Sequence, residues 1–426
     1  MQIPPQATRA RYVVVTFMVT LAMVTYLDRA CIGAMAPKIA AEFALDEGEM
    51  SWVFFSFILA YAIFEIPTAR WADKRGARNV LTRIVGWWSV FTLATAGAFS
   101  YGTLLVTRFL FGAGEAGAFP CKSRVFSRWI PLRERGTAEG IFFAGAYASG
   151  AITTFLVTAL LPHFGWRAIL IAFGGIGFVW VIAWHRWFRD DPGEHPAVND
   201  LERALILAER PAQVPHLDGW AYWRGLLKQR NVLLLCVSYM PNCATFYFCI
   251  TWLPTYLMQK HGFEKTQLGF LASLPLVLAI ATQFLGGFFS DRLTTRFGIT
   301  TGRRLPGVFG YGTAGIFVVA ASLTHNPLTA AVLIALTAAT CMLTTAVSWS
   351  TCADIGREHT ATVSATMNTS GQIAAILSQP IVGYSVKWFH DWNLPFYCLA
   401  VLFLVGALCW LFIDPQRPVF DSAPRA

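Results

Sequence analysis

The chain has 426 residues, of which 55% are hydrophobic and only 13% charged, with a mean hydropathy of +0.51 and a formal net charge of +9. Soluble domains carry about 25% charged residues, so the composition excludes an ordinary soluble enzyme. The repeated apolar runs, each about 20 residues and so long enough to cross a hydrocarbon core, make it an all-α integral membrane protein.

From the N-terminus, "MQIPPQATRARYVVVTF" has no small-residue cleavage site and runs directly into an apolar helix, so no signal peptide is expected. Twelve spans follow, at 12–36, 50–70, 79–99, 103–125, 137–161, 166–187, 231–259, 267–289, 305–324, 328–352, 361–385 and 395–413. An even number puts both termini on one side, together with 26 of the 33 Lys and Arg. The opposite loops carry Lys38, Arg167, Lys260, Lys265 and Lys387. Positive residues collect on the cytoplasmic side, so both termini are expected there. The same bias accounts for the basic charge without a nucleic-acid partner. Residues 188–230, "FRDDPGEHPAVNDLERALILAERPAQVPHLDGW" and its flanks, are charged and contain proline. They read as a cytoplasmic linker with one short helix from Asp200 to Glu209, joining an N-terminal half (1–187) to a C-terminal half (231–426). Nine cysteines without a CxxC spacing point to reduced, packed thiols.

Four charges fall inside spans one and four, clear of their cytoplasmic ends: Asp28 and Arg29 in span one, Arg108 and Glu115 in span four. The spans of the second half show no comparable interior charge. Charges at membrane depth are expensive, and the usual reason for keeping them is function. Positions seven apart share a helix face, so Arg108 and Glu115 point the same way, about 10 Å apart along the axis. Gly112, Gly114 and Gly117 beside them allow close helix approach. Two structural ion pairs would satisfy the same residues, but buried pairs stabilise weakly compared with apolar packing. The alternative divides the labour. Arginine keeps its charge and offers a planar fork to a carboxylate, while Asp28 and Glu115 can exchange a proton. An anion that occupies the arginines would then favour a proton on the acid, which couples the two.

The halves also echo each other. "IPTARWADKRGARNVL" follows span two and "GGFFSDRLTTRFG" follows span eight, which makes Asp73 and Asp291 equivalent in a six-plus-six repeat. Such repeats mark secondary transporters. The twelve-span plan, the long central loop and the DKRG-type loop resemble the major facilitator superfamily over nearly the whole chain. "YLDRA", "RFLFGAGEAGAFP" and "WLPTYL" are similar to its anion:cation symporter family, whose members carry sugar acids, aromatic acids, sialate or glutamate. Two departures stand out: Ala69 replaces a usual glycine of the loop motif, and "FFAGAYASGA" lacks a glutamine found in some sugar-acid members. The resemblance implies that Tyr26 and Tyr61 line the binding cavity; Glu65, one turn on from Tyr61 and close to the cytoplasmic end, reads as a gate or salt-bridge partner rather than a proton site. It also implies that Asp73, Arg75, Gly76, Arg78, Asp291 and Arg292 form a cytoplasmic gate.

In the second half, span seven offers Tyr239, Asn242, Tyr247 and Trp252, with Pro241 and Pro254 suited to a bending helix. Asn368 and Gln372 lie one turn apart in span eleven and suit substrate hydroxyls, whereas Ser348 and Ser350 in span ten fit helix–helix contacts better. The histidines, including His195, His216 and His390, show no ligand spacing with Cys, Asp or Glu, so no metal or cofactor is expected.

These features lead to an inner-membrane importer of a small organic anion, a hexuronate, aldonate or aldarate. It would couple to protons, work by alternating access and function as a monomer. A cation or multidrug exporter of the same fold conflicts with two intramembrane arginines. A transporter-like anion sensor lacks an output domain in the central loop. No nucleophile elbow or phosphate loop supports an enzyme.

Overall fold

A computed structural model describes residues 6–208, 219–263, 265–389 and 391–420. The helices are α1 (Ala10–Phe43), α2 (Glu47–Arg75), α3 (Ala77–Ala96), α4 (Tyr101–Glu115), α5 (Ala118–Trp129), α6 (Arg135–Trp187), α7 (Asp200–Leu207) and α8 (Gly219–Lys228). After them come α9 (Arg230–Thr251), α10 (Leu253–His261), α11 (Lys265–Phe297), α12 (Ile299–Leu323), α13 (Pro327–Gly356), α14 (Thr360–Phe389) and α15 (Asn393–Phe412).

Among the described residues, eight helical stretches are long and apolar enough to cross a membrane. Two of them, Leu132–Trp187 and Pro327–Phe389, each hold two expected spans. Spans three and four complete the twelve. Span three is α3, which carries Arg78 and Arg83 in its first two turns. Span four differs from the expected continuous helix, because it breaks between α4 and α5. Ala116 is extended (φ −55°, ψ 133°) and Gly117 is left-handed (φ 87°). Span seven breaks too, at Trp252, where Pro254 at the start of α10 cannot continue the helix. Pro241 stays inside α9. In α6 the two expected spans meet at Gly165, whose φ of 71° is non-helical. The central loop holds α7 as expected and also α8, which the sequence reading left out. Glu209, His216 and His390 lie outside the described residues.

Local signals start these helices. Asp46 and Glu49 form a capping box at α2, Ser100 and Thr103 do so at α4, and Asn326 caps α13. Large apolar side chains such as Phe155, Val179, Ile316 and Leu404 are more than 60% exposed. So many exposed apolar residues fit a lipid-facing surface.

The chain divides into two compact units. One comprises residues 1–131, 145–211 and 358–365; the other comprises 132–144, 212–357 and 366–426. In the first unit α2 and α3 pack against α4; in the second α11 and α12 pack against α13, the same arrangement one repeat later. Apolar packing in the first unit centres on Cys31, Ile32, Met35, Val53, Leu104 and Phe173. The start of α1 is capped from a distance. Buried Glu202 of α7 accepts the Ala10 and Arg11 backbone N–H groups (3.0 and 3.1 Å), the Thr8 hydroxyl (2.6 Å) and Arg11 Nη1 (3.1 Å). His195, between Trp129 and Trp187, donates from Nε2 to the Trp187 carbonyl and accepts the Ala197 N–H at Nδ1. Burial pushes its pKa below the ordinary histidine value, in keeping with that neutral ring.

Gly117 is the hinge of span four. A Cβ there would lie 2.7 Å from Thr68 Cγ2, on a backbone that L-residues adopt at a cost of about 1–2 kcal/mol. Gly117→Ala is therefore expected to lower the thermal unfolding midpoint. Gly262→Ala, also in the left-handed region (φ 69°, ψ 23°) but with no atom within 4 Å of the new methyl, should lower it less. Equal shifts would show that the Thr68 contact contributes nothing.

Candidate functional site

The break in span four leaves Glu115 as the last residue of α4, fully buried. Its Oε1 accepts a hydrogen bond from Arg29 Nε of α1 in an ion pair. Arg29 therefore sits at the C-terminal end of α4, where the helix dipole also favours a cation. The Arg29 guanidinium is surrounded by aromatic rings, with centroids 4.8 Å (Tyr61), 5.4 Å (Phe57), 5.7 Å (Phe119) and 6.0 Å (Tyr26) from Cζ. Tyr26 also packs on Tyr147, at 5.9 Å. Tyr61 donates from its hydroxyl to Glu65 at 3.4 Å. The expected residues Tyr26, Arg29, Tyr61 and Glu115 thus meet in one place. Phe57, Phe119 and Tyr147 complete it and were not singled out from sequence.

Arg108 takes a different position. Buried in α4, it lies with Cζ 4.2 Å from the Phe111 centroid and 5.5 Å from that of Phe57, the ring it shares with Arg29. It forms no hydrogen bond or ion pair among the described residues, and its Nε is enclosed without a partner. Asp28 is buried as well, with neither carboxyl oxygen hydrogen-bonded. Glu115 and Arg108 lie close enough to act on its carboxyl group electrostatically. Four charges are gathered, and among the described residues Arg29 and Glu115 form a direct ion pair. The Arg29 side chain is 27% exposed while that of Glu115 is fully enclosed. Of the two arginines, Arg29 is the more exposed.

The glycines of span four explain how these helices come so close. A side chain at Gly112 would strike the Phe57 carbonyl of α2, and one at Gly114 the Trp87 ring of α3. The small residues expected to permit close approach do so against two different helices.

A sequence profile of the Major Facilitator Superfamily matches residues 18–379. The chain belongs to that superfamily. Its relatives include the "Probable sulfoacetate transporter SauU" of Cupriavidus necator, 32% identical over 99% of this chain and 98% of the relative. They also include the "Probable galactarate/D-glucarate transporter GarP" of Escherichia coli, 29% identical over 96% and 95%. Among solved structures, the superfamily transporter FucP in its outward conformation aligns with a TM-score of 0.74 at 12% identity. It covers 95% of this chain and all of that one, a likeness of fold. The protein is a multi-pass membrane transporter of this superfamily rather than an enzyme.

The equivalent loop aspartates of this superfamily member act alike. Asp73 accepts the N–H groups of Ala361 (3.1 Å) and Thr362 (2.8 Å) in the first turn of α14, and the Thr362 hydroxyl (2.6 Å). Asp291 accepts those of Gly136 (2.9 Å) and Thr137 (2.6 Å) in the first turn of α6. Each carboxylate caps a helix N-terminus contributed by the other sequence half. Arg124 joins Asp73 (3.3 Å) to the Glu358 carbonyl (2.7 Å), and Arg128 pairs with Glu358 (2.5 Å). Arg303 bridges Asp291 (3.2 Å) and Asp354 (2.9 Å), and Asp354 also meets Arg135 (2.9 Å). Gly76 (φ 85°) lies against Asp190, Arg78 donates to the His185 carbonyl, and Arg75 and Arg292 are exposed. Arg124, Arg135, Arg303, Asp354 and Glu358 were missed. A signal for two of them was available, because "RERGT" before α6 and "REHTA" before α14 repeat each other.

In the second unit, Asn242 donates to Thr345 Oγ1 (2.9 Å) and the Cys341 carbonyl (3.3 Å), tying α9 to α13. Tyr239 accepts from Trp349 Nε1 (3.0 Å), and its ring lies against Gly371 of α14. Asn368 is buried and Gln372 is half-buried on α14, and Trp252 donates to Gln379. Ser348 and Ser350 donate to the carbonyls four residues back. Among the described residues no three His, Cys, Asp or Glu side chains gather as metal ligands. Among the described residues no disulfide joins any of the nine cysteines.

Proposed function

We propose that this transporter imports a small organic anion, a sugar acid of the hexuronate, aldonate or aldarate class, by proton symport with alternating access. It would sit in the inner membrane with both termini in the cytoplasm and act as a monomer. The observation that carries the reading is the group Asp28, Arg29, Arg108 and Glu115, three of them buried, in which Arg29 pairs with Glu115 and neither Asp28 carboxyl oxygen is hydrogen-bonded. Arg29, partly exposed and ringed by Tyr26, Phe57, Tyr61 and Phe119, is the anion-receiving residue. A substrate carboxylate there competes with Glu115 for the guanidinium. Glu115, released from its partner in an enclosed site, then takes a proton, since an isolated buried carboxylate is far costlier than the neutral acid. Arg108 keeps the field of the site positive when Asp28 is ionised. Tyr239, Asn242, Asn368 and Gln372 would contact the substrate's hydroxyls from the second half, and the Asp73 and Asp291 loops would gate the cytoplasmic side. The relatives' named cargoes, sulfoacetate and galactarate or glucarate, are small organic anions, which supports that broader class; galactarate and glucarate are aldarates, whereas sulfoacetate is not a sugar acid.

The test begins with a thermal-shift screen of the purified protein against sulfoacetate, hexuronates, aldonates and aldarates. Uptake of the best ligand is then measured in proteoliposomes under an imposed pH gradient, and separately under a sodium gradient at equal pH. Accumulation is expected with the pH gradient alone. Uptake driven only by sodium would overturn proton symport, and stabilisation by organic cations rather than anions would overturn the substrate class.

A further inference from the structure

The second unit carries a cavity of about 900 Å³ beside the Asp291 loop, apart from the residues to which the transport reading assigns substrate and proton. Its lining includes Phe288, Phe289, Arg292, Arg296 and Phe297 of α11 together with Arg133 before α6. The arrangement along α11 is graded. Phe288 and Phe289 fall in the last turn of the apolar span, and Arg292 and Arg296 follow at intervals of four residues, so they lie along one side of the helix beyond the span's end. The Arg292 guanidinium lies 5.5 Å from the Phe288 ring and that of Arg296 lies 5.2 Å from Phe297. Both arginines are exposed, and neither makes an ion pair among the described residues. Asp291 also borders the cavity, but its carboxylate is already engaged by Arg303 and by the Gly136 and Thr137 N–H groups. The cavity is therefore cationic at headgroup depth and aromatic at acyl depth. Phe289 and Phe297 are half exposed beside it.

We propose that this cavity binds the phosphate headgroup of an anionic membrane phospholipid, with Arg292 and Arg296 on the phosphate and Phe288 and Phe289 against its acyl chains. A positive-inside bias alone would place arginines anywhere in the loops. It does not require them to line a cavity one turn beyond exposed phenylalanines. Basic pockets between spanning helices on the positively charged side recognise acidic headgroups in this way, and guanidinium forks suit phosphate oxygens.

The experiment uses the purified full-length protein, with lipid binding read by native mass spectrometry and by thermal stability in detergent. Phosphatidylglycerol is added to one sample, phosphatidylcholine to a second and inorganic phosphate to a third. Phosphatidylglycerol is expected to bind and raise the unfolding midpoint more than the other two. The double substitution Arg292→Gln/Arg296→Gln should weaken its binding about 10- to 30-fold, the loss expected for two surface arginines. The pair Arg186→Gln/Arg224→Gln removes the same net charge elsewhere and should leave binding unchanged. Equal weakening by both double variants would reduce the effect to overall charge and overturn the site. Stabilisation by inorganic phosphate that vanishes in Arg292→Gln/Arg296→Gln, with no preference for phosphatidylglycerol, would assign the cavity to a soluble anion instead and overturn the lipid.

Discussion

Arg108→Ala is expected to reduce uptake at least about a hundredfold while the protein still inserts and folds well enough to purify. The reason lies in burial. Arg108 is enclosed on α4 against Phe111 and Phe57, and it is the positive charge that bears on Asp28. Removing one member of a buried charge group leaves the others uncompensated, at a cost of about 3–5 kcal/mol. The loss of uptake is a separate effect. The site without Arg108 carries one positive charge less, and truncating one charged partner in a recognition site costs about 2–5 kcal/mol of binding. That loss passes a hundredfold at about 2.8 kcal/mol. Arg108→Lys should fail as well, because a compact ammonium does not reproduce a planar guanidinium stacked 4.2 Å from a ring. Arg29→Ala should abolish substrate binding itself, since Arg29 is the exposed member of the ion pair with Glu115. Uptake and ligand-induced thermal shift separate the two. Arg29→Ala loses both, whereas Arg108→Lys keeps part of the shift. Near-normal uptake by Arg108→Lys would show that charge alone suffices there, and normal uptake by both alanine variants would remove the anion site from this group.

Much of this site was legible in the sequence, and the limits have physical causes. The twelve spans were visible because a bilayer imposes a minimum apolar length on each of them. Asp28, Arg29, Arg108 and Glu115 stood out because lipid penalises charge. Which of them pair was not visible. The seven-residue spacing puts Arg108 and Glu115 on one helix face but roughly 10 Å apart along the axis, out of reach of each other, so the partner of Glu115 is chosen by the packing of α1 on the end of α4. The aromatic surround of Arg29 was hidden for a different reason. With 34 Phe and 12 Tyr in the chain, nothing local distinguishes Phe57, Phe119 or Tyr147 from residues that pack against lipid. The break after Glu115 was obscured because Ala116 and Gly117 are common in tightly packed membrane helices, and only the left-handed backbone of Gly117 reveals the turn. At the loops the repeat of Asp73 and Asp291 was read, but the matching "RERGT" and "REHTA" segments, whose helices those aspartates cap, were passed over.

Glu115→Gln is expected to separate binding from coupling. The glutamine keeps the shape of the protonated acid, so it holds the site in the state that a bound anion and proton would create together. Arg29 loses its ionic partner but stays within its ring of Tyr26, Phe57, Tyr61 and Phe119, and it becomes a stronger attractor for an anion. Ligand-induced thermal stabilisation should therefore be retained or increased, and exchange of labelled for unlabelled substrate across the liposome membrane should continue. Accumulation driven by a pH gradient should disappear, because residue 115 no longer has a proton to release on the inner side. Asp28→Asn is the informative contrast. It leaves the Arg29–Glu115 pair in place but removes the buried carboxylate next to Arg29 on α1, so it should disturb how Arg29 is held and impair binding together with accumulation. Concentrative uptake by Glu115→Gln under the pH gradient would move the coupled proton to another residue, Asp28 being the next to test. Loss of exchange as well as accumulation in that variant would mean that the Arg29–Glu115 pair holds α1 to α4 and that its structural role dominates.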